Sequence, residues 1–304
     1  MISFRYHLVS IVAVFLALAL GVVVGTTVVK PGLVDQIRHQ TDVQIAKNRA
    51  LQDQVNQLQT DMKTWQVFGD EVQTMLVTGQ LSGKQVVMVT VDGVDPAEVD
   101  GVRHALEQGG ATVVSLIRVT SRMALADDSS RRDLATIMGE SPTTPVNLLS
   151  TKTAQSLGAR LTNAPRLGDA DLLQQLVTGR FLALNGGSAP LTTIGAGGQS
   201  VVFLAGGAQV PPFDLKGFLL PVVSAIVGAN RAVVAAETTS SSYPFVPLFR
   251  DDGTLDSHMV TVDDADTVPG RVALVLGLRD LTLSPGRGGD YGVKGGASGL
   301  LPMP

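Results

Sequence analysis

The residues with the most evident capacity for chemistry are carboxylates gathered just beyond β-branched runs. Asp92 and Asp95 follow the run at 85–91, Glu237 follows 232–236, and Asp263, Asp264 and Asp266 follow 259–262. In parallel sheets, ligands bind beyond the carboxyl ends of the strands. Carboxylates converging there would suit a hard cation or a polar ligand, so Asp92, Asp95, Glu237, Asp263 and Asp264 form the candidate polar-ligand set. Helix capping and loop solvation would use the same residues. His258 and Met259 are the one adjacent imidazole–thioether pair and stand as weak metal candidates. His104 and Glu107, one helical turn apart, make at most half a metal site. There is no G-x-G-x-x-G after the first strand, no Walker loop, no G-x-S-x-G elbow and no H-E-x-x-H. With no cysteine in the chain, thiolate chemistry is excluded. A non-enzymatic protein with no resident cofactor is the expectation.

The elements around these residues read clearly. Residues 85–91 (QVVMVTV) form a strand, and Asp95 caps a helix that opens on Pro96 and runs to Gln108. Gly109-Gly110 ends that helix, and 111–119 is a second strand, which gives a β-α-β unit with parallel pairing. Helices are expected at 131–138, 151–161 and 169–178, then loop from 186 to 199. A strand at 201–204, a helix across 214–228 and strands at 232–236 and 259–262 follow. Residues 272–281 fit either helix or strand. The alternation predicts an α/β fold with a doubly wound, mainly parallel sheet over 81–283. The Gly-rich stretch 284–304 is expected to be a flexible tail.

The first 80 residues are different. Residues 8–29 are apolar and uncharged, long enough to span a bilayer. Arg5 and His7 precede the run and Lys30 follows it, which favours a cytoplasmic N-terminus and an extracytoplasmic body. Ala17-Leu18-Ala19 would suit signal-peptide cleavage, yet the apolar run continues ten residues beyond it, so an uncleaved anchor over 1–30 is expected. Gly21 and Gly25 form a G-x-x-x-G pair for close packing of spans. Over 31–80, steps of three and four from Ile37 reach Thr41, Gln44, Asn48, Leu51, Val55, Leu58, Met62, Trp65, Gly69, Val72 and Leu76. Leu51 to Trp65 is an unbroken apolar seam, and polar Asn48 can fix register. Such a helix needs a copy of itself, another protein or its own body to cover it. Ile37, Asn48, Leu51, Val55, Leu58, Met62 and Trp65 are the expected contact residues. Gly69 marks where a coil would weaken.

Composition narrows the class. The net charge of −4 leaves no basic surplus for nucleic acid. Aromatic residues are only 4%, which favours an α/β core over an aromatic-girdled barrel.

Several blocks together resemble a known family. The opening MISFRYHLVS (1–10) with AVFLALALGVVVG (13–25), and the later TVDDAD (261–266), PGR (269–271), LRDL (278–281), GDYG (289–292) and GGA (295–297), resemble the actinobacterial copper transport MctB family. The resemblance covers the whole chain and implies a cell-envelope protein of mycolate-bearing bacteria. It implies a role in copper transport or homeostasis, with an outer-membrane pore proposed. It also implies kinship to the cell-separation protein SteB, which pairs with a membrane partner, SteA. A SteA-like protein or a second copy is therefore the expected partner, and copper enters by resemblance alone. The matching blocks contain no metal-ligand motif.

Overall fold

The computed structural model describes residues 4–28, 31–166, 168, 170–187, 189–255 and 257–303. Val29 and Lys30, at the end of the apolar run, and Asp169, the expected start of a helix, lie outside the described residues. The chain divides into two compact units, Met1–Val67 and Phe68–Pro304.

The first unit is helical. Helix α1, Phe4–Val28, contains the segment Arg5–Thr26, long and apolar enough to cross a membrane. At about 1.5 Å per residue its 25 residues reach about 37 Å, more than the hydrocarbon thickness. Gly21 and Gly25 leave its backbone bare, with nothing within 4 Å of where a Cβ would stand. Helix α2, Pro31–Val77, is one uninterrupted helix of 47 residues, and its last turns belong to the second unit.

The second unit is an α/β body. Its strands are β1 Gln85–Val91, β2 Thr112–Val119, β3 Leu182–Gly186, β4 Gln199–Ala205, β5 Val233–Glu237, β6 Val260–Val262 and β7 Gly289–Tyr291. Its helices are α3 Pro96–Gln108, α4 Asp128–Met138, α5 Val146–Thr162, α6 Leu172–Thr178, α7 Leu215–Gly228, the short α8 Pro247–Arg250 and α9 Val268–Leu283. The open sheet runs β3-β2-β1-β4-β5-β6-β7, and every neighbouring pair is parallel except β2–β3.

The period of two along each strand splits the core in two. Val87, Val89 and Val91 of β1 join one cluster, with Phe203 of β4 and residues from α4 to α8. Val86 and Met88 join the other, with Val202 and residues from α3 and α9. Both faces are therefore covered, which is why these strands read as continuous apolar runs.

Asp95 caps α3 as expected, its carboxylate accepting the Ala97 N–H at 2.9 Å ahead of Pro96. Residues 272–281, ambiguous in sequence, lie within helix α9, capped by Thr267. Two expectations change. Strand β3 fills a stretch with no expected element, between the helix expected at 169–178 and the loop from 186, and takes only Gly186 of that loop: it is short, mostly exposed and antiparallel, so it lacks the apolar run of a buried strand. The Gly-rich stretch expected to be a flexible tail instead supplies β7, paired with β6, and the body extends past residue 283. The body also starts earlier than residue 81: Gln73 of α2 bridges Gln108 and Arg271, and Val77 and Leu81 are fully buried.

Candidate functional site

The acidic strand ends are brought together in part, and what holds them is the protein itself. Glu237, at the end of β5, is 1% exposed. One of its oxygens accepts the Phe245 and Val246 N–H groups at 2.8 and 2.9 Å, and the other accepts Lys294 Nζ at 2.9 Å. Asp263, after β6, is fully buried. Its Oδ1 accepts the Val293 and Lys294 N–H groups at 2.7 and 2.9 Å, and its Oδ2 accepts Arg250 Nη1 at 2.7 Å. Arg250 also donates to Thr261 Oγ1 and to the Tyr291 carbonyl. These two carboxylates thus have their acceptor sites filled by Arg250, Lys294 and backbone N–H groups, as buried charges require.

This network explains the blocks 261–266, 269–271 and 289–297. Gly292 has φ +130°, and a Cβ there would lie 2.2 Å from Asp263 Oδ1. A Cβ on Gly270 would lie 2.0 Å from the Asp264 carbonyl oxygen. The glycines and aspartates fit one another, and together they pin the final segment to the sheet. Arg250 and Lys294 carry the network, yet neither stands out in sequence: their carboxylate partners are 13 and 57 residues away.

The remaining acidic candidates have separate roles. Asp92 pairs with Arg118 Nη1 and accepts the Ser121 N–H. Asp95, besides capping α3, borders a crevice of about 490 Å3 with Glu98, Gly207 and Thr238. That crevice lies between β1 and β4, where the strand order reverses. Burial, reinforced by Asp266 and Asp95 and opposed by Arg271, raises the Glu98 carboxyl above its ordinary pKa. Asp264 is 1% exposed; its Oδ2 accepts the Thr267 hydroxyl, while among the described residues its Oδ1 has no partner. Burial raises its pKa most, opposed by the Thr267 hydrogen bond and reinforced by Asp263 and Asp266.

His258 and Met259 do not present a common face: His258 is exposed and Met259 is buried in the core. Among the described residues, no group of three or more His, Asp or Glu side chains is placed to hold a metal ion.

The largest exposed apolar feature outside α1 is on α2. Leu51, Val55, Leu58 and Met62 are 57, 45, 62 and 62% exposed, on one helical stripe that Ile37, Asn48 and Trp65 extend. Surface patches of this kind mark interaction sites. At the other end of the helix, Gly69 lets α2 approach Val268, to within 3.1 Å of a would-be Cβ.

Comparison with known proteins gives a consistent result. The family model described as "Copper transport outer membrane protein, MctB" matches residues 1–302. The chain is similar to the protein named Copper transporter MctB of Mycobacterium tuberculosis, 27% identical over 98% of both chains. It is similar to the protein of the same name from Mycobacterium leprae, 29% identical over 99% of both chains.

Proposed function

The chain belongs to the MctB family of copper transport outer membrane proteins, and from that premise we propose that it works as a membrane-anchored assembly protein of the cell envelope. Helix α1 anchors it with the N-terminus on the cytoplasmic side, and the body stands on the extracytoplasmic side. The stripe on α2 pairs with a second copy or with a SteA-like partner helix. The body, read as a doubly wound sheet, serves as a recognition module and not as an enzyme. Its contribution to copper transport or to cell separation then passes through complex formation.

The observation that carries this reading is the exposed row Leu51, Val55, Leu58 and Met62. Counting from Gly69 as an a position, Val55 and Met62 are a residues and Leu51 and Leu58 are d residues. A β-branched a residue with leucine at d favours a two-stranded parallel coil, and Asn48, also at a, would fix its register. An anchor at the same end of each chain favours the parallel arrangement for two copies. In full-length protein in detergent, Leu58→Glu should reduce the complex to monomer by size exclusion with light scattering. An unchanged mass would remove the pairing reading.

A second reading, direct export of copper, is favoured by the names of the family and of its relatives. The open sheet, covered by helices on both faces, lacks the lipid-facing surface of a barrel strand. A direct role predicts copper-dependent flux in liposomes and copper binding that His258→Ala with Met259→Ala weakens. Calorimetry without copper binding would count against it.

A further inference from the structure

A second cavity, of about 340 Å3, opens beside β1, β2 and α3. Its volume is within the range of small-molecule sites. Thr90 and Arg118 are register partners on β1 and β2 and both line it. Thr90 is 3% exposed, and among the described residues its hydroxyl has no hydrogen-bond partner. The Arg118 Nε–H is buried and likewise has none. Asp92 orients that guanidinium by taking Nη1, and Asp92 is itself held by the Ser121 N–H. The amide of Asn185, on β3, lines the same cavity and is unpartnered among the described residues. Val94, Val99 and Leu116 give the cavity an apolar lining. Asp100 at the rim is paired with Arg103 at 2.8 Å.

A buried donor left unmade is costly, and the Arg118 Nε–H is such a donor; the Thr90 hydroxyl and the exposed Asn185 amide line the same space and are free to join it in holding an acceptor. The charge of Arg118 is already balanced by Asp92, so a full negative charge is not required of the occupant. We propose that this cavity binds a small molecule presenting a planar oxygen acceptor, a carboxylate or an amide carbonyl, on a short branched apolar group. Arg118 Nε, the Asn185 amide and the Thr90 hydroxyl receive the acceptor, and Val94, Val99 and Leu116 receive the apolar group. Asp92 is a positioning residue that aims Arg118.

The test is calorimetry on the full-length chain in detergent, with isovalerate and isovaleramide as probes. At least one should bind in the millimolar range. Thr90→Val and Arg118→Lys should each weaken binding by about tenfold or more, as expected for loss of a hydroxyl or a charge-assisted hydrogen bond. Thr90→Val removes a hydroxyl that has no partner among the described residues, so it should fold with an unchanged or raised Tm. Arg118→Lys keeps the charge for Asp92 but removes Nε. Tighter binding of isovalerate identifies a carboxylate ligand, and equal binding of both probes identifies a neutral carbonyl. Absence of binding for both at about 50 mM, a weak regime even for small ligands, would overturn the proposal. So would binding that survives both substitutions.

Discussion

Asp264 shows how far a residue's type is from its task. It stands among three aspartates within four positions, a spacing that suggests a ligand site, yet it is buried with one oxygen unpartnered among the described residues. Burial raises its pKa. A carboxyl whose folded pKa lies above its unfolded value favours the native state when protonated. Stability from this group is therefore fullest below the unfolded value and declines as pH rises through the folded one. Asp264→Asn should raise Tm at pH 7, and the gain should shrink as pH falls toward 4, read by thermal melts across that range. A substitution that lowers Tm equally at both pH values would contradict this. Asp263 and Glu237, by contrast, have partners for both oxygens, and no sequence signal separates them from Asp264.

Helices α2 and α3 contrast in how much their sequence settles. The start of α3 is legible because Asp95, Pro96 and the terminating Gly109 act within one or two turns. The apolar period of α2 is equally legible, but its exposed stripe shows only that a cover is needed. Asn48 is the informative position. If α2 pairs in register, Asn48→Val should raise the melting temperature of the pairing while broadening stoichiometry. Sedimentation of the full-length variant would then show more than one oligomer. Strand β3 was illegible for the opposite reason. It lies at an edge, exposed along most of its length, and antiparallel pairing with β2 supplies what its side chains do not.

At the scale of the whole molecule, the final segment is part of the core architecture. Strand β7 covers the edge of β6, and Lys294 and two backbone N–H groups neutralise buried carboxylates. Ending the chain at residue 288 would leave Asp263 and Glu237 buried without these partners. Breaking a buried pair costs roughly 3–5 kcal/mol, so the truncated protein should unfold at markedly lower urea concentration. Lys294→Met alone should show a smaller loss, because Glu237 keeps its two backbone donors. A truncation as stable as the full chain would return the segment to the role of a tail.

The sequence by itself determined the apolar helix at the N-terminus, the helix with its heptad seam, the first β-α-β unit and the α/β class. These rest on periodicity and capping, which act over a few residues. Only the tertiary structure decided which carboxylates are structural, that Arg250 and Lys294 neutralise them, and that Thr90, Arg118 and Asn185 face one cavity. The physical reason is separation along the chain: charge pairing and cavity lining join residues tens of positions apart. Which of them meet depends on the order of strands in the sheet, and that order is not written in any local pattern.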